Sequence, residues 1–273
     1  MHVGILGPLL ISLDGAAGYI DLAPKPRTVL TVLLVNAGVV VPVSSLVREV
    51  WADSPPASAL RNIQTYILQS RTLLLQVSGA SKRAVARDLL VTRPGGYLFG
   101  AESAQFDHLT YRKLVDAGRG AIRQGDCMKG TSLLDRALEM WRGPAIVDVM
   151  TGVMLDAWRH QLEGSKLGVI EDLCSAKIAM GRYHEAAADL AVSVWENPLH
   201  EGLHYQYMRA LSMSGDRAHA LDVFNRLRMN LVAELGIDPS DSIQELQRSI
   251  LHSSSAGYTA PYPPSMGRMT PVV

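Results

Sequence analysis

Residues 60–77 read LRNIQTYILQSRTLLLQV, and residues 89–99 read LLVTRPGGYLF. The first stretch has the period of an amphipathic helix. Leu60, Ile63, Ile67 and Leu74 fall on one face with Ser70 in line, and Arg61, Asn62, Gln64, Thr65, Leu68, Gln69, Arg71 and Thr72 fall on the other. The second stretch is two extended runs, Leu89–Thr92 and Tyr97–Phe99, around Arg93-Pro-Gly-Gly96. Gly95 and Gly96 supply the permissive backbone of a hairpin turn, and Tyr97 reads as a core anchor. A helix that follows another helix through a tight turn, with a Gly-tipped hairpin after it, is the pattern of a winged helix-turn-helix. In that motif one helix enters the major groove of DNA and the hairpin lies beside it.

The flanking sequence supplies the rest of the motif. Asp53-Ser-Pro-Pro56 is a turn, and Ser58 caps the long helix. Before the turn, Ser44 or Ser45 caps a shorter helix with Leu46, Val47, Val50 and Trp51 on its buried side. Val39–Val43 is a short extended link. Asn36-Ala-Gly38 stops a helix that begins near Pro26, where a missing N–H costs nothing, and that carries Val29, Leu30, Leu33 and Leu34 at helical spacing. Val3–Leu6 and Leu9–Leu13 are strands closed by Asp14-Gly15, with Tyr19–Leu22 a candidate third strand. Ser78–Asp88 reads as a polar loop. After Phe106 only the helical period remains. Leu109, Leu114, Val115 and Ile122, then Leu133, Leu134, Leu138 and Trp141, mark two amphipathic helices, and Trp158 to Leu173 marks a long third one. Helices over His184–Trp195, Gly202–Met213, Arg217–Leu231 and Ser240–Leu251 follow. Gly181 and Gly215 lie 34 residues apart, the tetratricopeptide period, and each precedes a helix with Ala expected at close-packed positions: Ala186, Ala187 and Ala191, then Ala218 and Ala220. The fold class is therefore an α+β winged helix-turn-helix over 1–100 followed by an all-α, tetratricopeptide-like domain over 104–252, with a Ser-, Gly- and Pro-rich tail over 253–273 expected to be disordered.

Composition narrows the function. The chain has 273 residues, 48% of them hydrophobic and 19% charged, enough to build cores in two domains. The formal net charge of zero hides an asymmetry: residues 1–100 carry nine basic and five acidic side chains, and the remainder carries seventeen and twenty-one. A basic half and an acidic half suit one polyanion-binding part and one protein-binding part. The two cysteines, Cys127 and Cys174, make no disulfide framework. No run is long and apolar enough for a membrane span, and the opening residues lack the marks of a signal peptide, so a cytoplasmic, nucleoid-associated protein is expected.

There is no GxGxxG after a strand, no GxxxxGK[ST] and no HExxH, and the carboxylates are scattered at solvent spacing. His200 and His204 stand four apart with no third ligand in sequence, which suits a polar stripe better than a metal site. No catalytic residue, metal or cofactor is expected. The informative stretch is Ser54–Arg87, which holds Arg61, Arg71, Lys82, Arg83 and Arg87 and no carboxylate. Arg reaches guanine, Asn and Gln reach adenine, and Thr reaches phosphate or a thymine methyl, whereas a carboxylate would repel the phosphates. An ordinary solvated face mixes Glu with Lys, so its complete lack of acids favours DNA. Arg93 in the hairpin is a candidate phosphate or minor-groove contact.

These segments carry a family resemblance. LGPL at 6–9, PRTVLTVLLVNAGVVVPVSSLVREVW at 26–51, ALRNIQTYILQSR at 59–71 and LLVTRPGGYLF at 89–99 resemble the Streptomyces antibiotic regulatory protein family. FDHLTYRKLVDAGR at 106–119, LLDRALEMWRGPAIVDV at 133–149 and AELGIDPSDSIQEL at 233–246 resemble its second part, the bacterial transcriptional activation domain. The resemblance covers about residues 3–252 and implies an OmpR-type winged helix, of the kind found in two-component regulators, before a tetratricopeptide-like domain. It implies an activator of a secondary-metabolite (antibiotic) gene cluster that binds direct repeats in double-stranded DNA near the promoter −35 region and contacts RNA polymerase through sigma factor or other subunits. On this reading Arg61, Asn62, Gln64, Thr65, Gln69, Arg71 and Thr72 face the DNA, Arg93 and Gly96 belong to the wing, and Lys82, Arg83 and Arg87 are additional backbone contacts. Members often carry a basic residue at the place of Thr72 and Leu at that of Ser70, so one phosphate contact is expected to be missing and the core under the helix to be looser. Lys82, Arg83 and Arg87 are expected to offset the missing charge at Thr72. Two protomers are expected side by side, head to tail, on repeats about one helical turn apart. The competing reading is a ligand- or partner-sensing repressor or adaptor.

Overall fold

The computed structural model describes residues 1–13 and 20–252. The chain forms two compact units, Met1–Met180 and Gly181 onward. The division expected between 100 and 104 therefore falls inside the first unit.

The first unit opens with β1 (His2–Gly4) and β2 (Leu10–Ser12), an antiparallel pair in register Val3 to Ile11, as the two apolar runs require. The expected turn at Asp14-Gly15 and residue Tyr19 lie outside the described residues, and residues 20–22 are not in a strand. Helix α1 (Pro24–Val35) starts two residues before the expected Pro26, with both prolines in its first turn where no amide partner is needed. β3 (Val40–Pro42) follows, then α2 (Val43–Trp51), α3 (Ala59–Ser78), β4 (Leu90–Arg93) and β5 (Gly96–Phe99). Neither Ser44 nor Ser45 caps α2. That helix starts directly after Pro42, whose fixed φ of −62° sets the entry. The expected polar loop is mostly helical: α4 (Lys82–Ala84), capped by Ser81, runs into a π-helical turn, Val85–Leu89. Val85 and Leu89 are buried, and those two anchors wind the segment. β4 and β5 pair as the expected hairpin, with β3 on the far edge of β5.

β6 (Gln105–Phe106) pairs in parallel with β1, and the chain then enters α5 (Asp107–Arg123), α6 (Cys127–Glu139) and α7 (Val153–Ala179). Gly118 and Gly130 let α5 and α6 cross closely, since a Cβ on Gly130 would stand 2.4 Å from Ile122 Cγ1. The core under α1 and α3 joins Val3, Ile11, Leu30, Leu33, Leu46, Ile63, Ile67, Leu74 and Phe99 to Ile146, Val149 and Leu155. One apolar interior thus spans the sheet-and-helix part, the segment before α7 and the first turn of α7. Two acids, the buried Asp107 and the exposed Asp148, complete the joint. Asp107 accepts from the Ile5 amide (2.9 Å) and the Leu6 amide (3.1 Å), and Asp148 accepts from the Leu9 amide (2.7 Å) and Arg27 Nη1 (2.9 Å).

The second unit stacks α8 (Tyr183–Glu196), α9 (Glu201–Met213), α10 (Arg217–Leu235) and α11 (Asp241–His252). Gly181 and Gly215 have φ of +77° and +94°, as the spacing of the two turns demands. Ala186 and Ala220 are buried and Ala187 is half-buried, but Ala191 and Ala218 face solvent, so only part of the expected alanine packing is present. The His200 side chain accepts the Leu203 amide and caps α9, while His204 Nδ1 bonds the His200 carbonyl (3.0 Å).

Candidate nucleic-acid interface

Helix α3 is held on its inner side by Ile63, Ile67, Leu73, Leu74 and Ser70, all buried. Ser70 is tolerated there because its hydroxyl donates to the Tyr66 carbonyl (2.8 Å), leaving no unpaired buried group. Leu60, assigned to this face by its spacing, is instead 63% exposed. Its neighbour Ala59 is buried, so the buried stripe of the first turn runs through Ala59 and Ile63 and leaves Leu60 outside it. Tyr66 stacks on Trp51 with ring centroids 6.1 Å apart, which sets α3 against the end of α2.

Facing outward, Arg61, Gln64, Thr65, Leu68, Gln69 and Thr72 are exposed. The Thr65 hydroxyl donates to the Arg61 carbonyl and the Thr72 hydroxyl to the Leu68 carbonyl, each at 3.1 Å. Asn62 is half-buried and donates to Ser58 Oγ (3.2 Å) at the start of the helix. Ser58 occupies the cap position without bonding an amide itself. The surface row therefore presents donors, acceptors and one guanidinium with no acid among them.

Arg71 turns sideways. Its Nε and Nη2 both donate to the Leu90 carbonyl (3.0 and 2.7 Å), and Nη2 also reaches Thr92 Oγ1 (2.9 Å). The guanidinium thus ties α3 to the first strand of the hairpin. Gly96 is likewise internal. It pairs with Arg93 and with Pro42, and a Cβ there would lie 2.3 Å from the Val41 carbonyl oxygen. Gly95, at φ +76°, makes the turn, and the Val43 amide donates to its carbonyl (3.0 Å). Arg93 is exposed beside the tip, while Tyr97 is buried in the core.

Lys82 and Arg83 are exposed on α4. Arg87 is exposed too, but it grips Asp88 through two bonds of 2.8 Å. That pair raises the Arg87 pKa and lowers that of Asp88, first through the hydrogen bonds and then through charge. The structure thus brings Arg61, Gln64, Thr65, Gln69 and Thr72 together on one face and places Lys82, Arg83 and Arg93 on neighbouring elements.

Two further residues matter here that neither periodicity nor charge pattern marks as part of the site. Thr92 completes the Arg71 clamp. Glu49, the one acid among Leu46, Val47, Val50 and Trp51, is buried at the end of α2 and accepts from the amides of Gly152 (2.9 Å), Met154 (2.8 Å) and Leu155 (2.9 Å). An acid in the apolar stripe of a short helix is the signal the sequence offers for it. Among the described residues, no group of three potential ligands is placed to hold a metal ion, and no helix is long and apolar enough to cross a membrane.

Comparison with known proteins agrees with this architecture. Residues 106–251 match the bacterial transcriptional activator domain. Regulatory protein DnrI of Streptomyces peucetius is 38% identical over 253 residues, covering 93% of each chain. Transcriptional regulator RedD of Streptomyces coelicolor is 30% identical over 97% of this chain and 76% of its own length. The structure of Mycobacterium tuberculosis EmbR in complex with a low affinity phosphopeptide superposes with a TM-score of 0.81 at 29% identity, over 92% of this chain and 65% of that one. These relatives are regulators rather than enzymes, and the chain belongs to the Streptomyces antibiotic regulatory protein family of transcriptional activators.

Proposed function

We propose that the chain activates a secondary-metabolite gene cluster by binding direct repeats near the promoter −35 region and recruiting RNA polymerase. Residues 1–100 form the winged-helix DNA-binding domain and residues 104–252 the activation domain. The observation that carries this reading is the outward face of α3. Arg61, Gln64, Thr65, Gln69 and Thr72 stand exposed on a helix without a carboxylate, braced from behind by a packed core and from the side by a hairpin. Asn62 joins them at the N-terminal end. Arg61, Gln64, Thr65 and Gln69 contact base edges, each good contact contributing about 1–3 kcal/mol of discrimination. Arg93, Lys82 and Arg83 contact the phosphate backbone. Arg71 and Gly96 support the reading surface by fixing helix and wing. Two protomers lie side by side on DNA, and the acidic helical part holds them together and meets sigma factor or another polymerase subunit. The protein works in the cytoplasm, on the nucleoid.

Selection from a random double-stranded DNA pool, followed by sequencing, tests this. Enrichment of direct repeats about one helical turn apart is expected. A folded protein that enriches no sequence at moderate salt would refute the DNA-reading role and favour the adaptor reading.

A further inference from the structure

The outward face of α3 contains one residue that its hydrogen-bonding neighbours do not explain. At about 100° per residue, Arg61, Thr65, Leu68 and Thr72 follow one another along a single row on the side opposite Ile63, Ile67, Ser70 and Leu74. Leu68 is 64% exposed in the middle of that row. Gln64 stands one turn before it, on the same outward side. An aliphatic side chain there forms no bond to a phosphate oxygen or to a base-edge nitrogen or oxygen. The major groove offers one apolar group, the C5 methyl of thymine. Helix position and groove chemistry together leave that methyl as the matching partner.

We infer that Leu68 is a specificity-determining residue that packs on a thymine methyl, so that each repeat of the operator contains a thymine read through its methyl group. The inference rests on α3 being the recognition helix, and it adds a base preference that the polar residues alone do not impose. Thr65 and Thr72 also carry methyls, but both have hydroxyls already turned to carbonyls of their own helix. Leu68 presents the larger apolar surface between them.

The test uses the full chain and the operator obtained by selection. Each thymine is replaced in turn by deoxyuridine, which removes the methyl and leaves base pairing and the hydrogen-bonding pattern unchanged. One thymine per repeat is expected to lose about fourfold in affinity on demethylation, the worth of one buried methyl group. Leu68→Ala is expected to bind the thymine operator more weakly and to bind the thymine and deoxyuridine forms equally. Thr65→Ala is expected to keep the fourfold ratio. Because Leu68 is exposed, the variant should melt at the wild-type temperature, which separates recognition from folding. If no thymine responds to demethylation, or Leu68→Ala retains the full ratio, Leu68 does not read a methyl even though the protein binds DNA. If the wild-type chain selects no DNA, the recognition-helix reading fails first and the inference with it.

Discussion

The Glu49 carboxylate, on the last turn of α2, accepts the Leu155 amide at 2.9 Å across 106 residues of sequence. With the amides of Gly152 and Met154 it closes the first turn of α7, so the helix that leads into α3 and the long helix of the activation part share one buried acid. A helix start carries orphan amides and a partial positive charge, and a buried carboxylate satisfies both. Glu49→Ala leaves these donors unpaired and is expected to cost about 3 kcal/mol. Chemical denaturation at neutral pH measures this. A loss under about 0.5 kcal/mol would mean that water replaces the cap.

The sequence places Arg71 at the DNA, and the structure gives its guanidinium a second task between Leu90 and Thr92. The two roles separate in Arg71→Lys, which keeps the charge but not the planar fork. The clamp predicts a loss of about 1–2 kcal/mol in stability and faster amide exchange in the hairpin. A purely electrostatic role at the DNA predicts that both stay at wild-type values.

Gly96 and Gly95 are adjacent, yet alanine should affect them differently. At Gly95 the cost is that of a left-handed backbone in open space, about 1 kcal/mol. At Gly96 the new Cβ would meet the Val41 carbonyl at 2.3 Å and must push β3 away from β5, at a cost of about 3 kcal/mol. Thermal melting of the two variants orders these costs, and equal losses would count against the close approach.

The basic residues of α4 and the turn after it should act unequally on the salt dependence of DNA binding. Replacing Lys82 and Arg83 together by Ala is expected to lower the slope of log affinity against log salt by about 2, close to one unit for each phosphate no longer neutralised. Arg87→Ala should leave the slope unchanged, because Asp88 already neutralises that guanidinium. A lower slope in the Arg87 variant would show that the pair opens on DNA.

Burial holds the His108 and His204 imidazoles below their ordinary value of 6.5, with the Asp107 charge and the His200 carbonyl opposing it. The folded chain therefore binds fewer protons than the unfolded chain, and stability is lost as pH falls through about 6.5 towards the lower folded values. Melting temperatures at about pH 7.5 and about pH 5.5 should show the decrease, and His108→Gln with His204→Gln should reduce it. An undiminished decrease would assign it to other groups.

The local signals in the chain are legible for physical reasons. Ile63, Ile67 and Leu74 recur at the helical period, Pro26 marks the neighbourhood of a helix start, and Gly95 with Gly96 marks a turn, because each depends only on neighbours a few residues away. Local pattern misleads where distant contacts decide. Leu60 obeys the period but lies off the buried stripe, which passes through Ala59 and Ile63. The polar-looking Ser78–Asp88 stretch is wound by two buried anchors, Val85 and Leu89, that a count of polar residues overlooks.

By itself the sequence determined the opening strand pair, the three helices and the hairpin that follow one another, the acid-free face of α3 and the family resemblance, since periodicity, turn chemistry and charge are properties of contiguous residues. Only the tertiary structure decided that Arg71 braces the hairpin, that Gly96 admits the Val41 backbone, and that Glu49 caps a helix 106 residues away. Each of these joins groups that meet only after the chain has folded, and such a meeting leaves no period in the sequence to read.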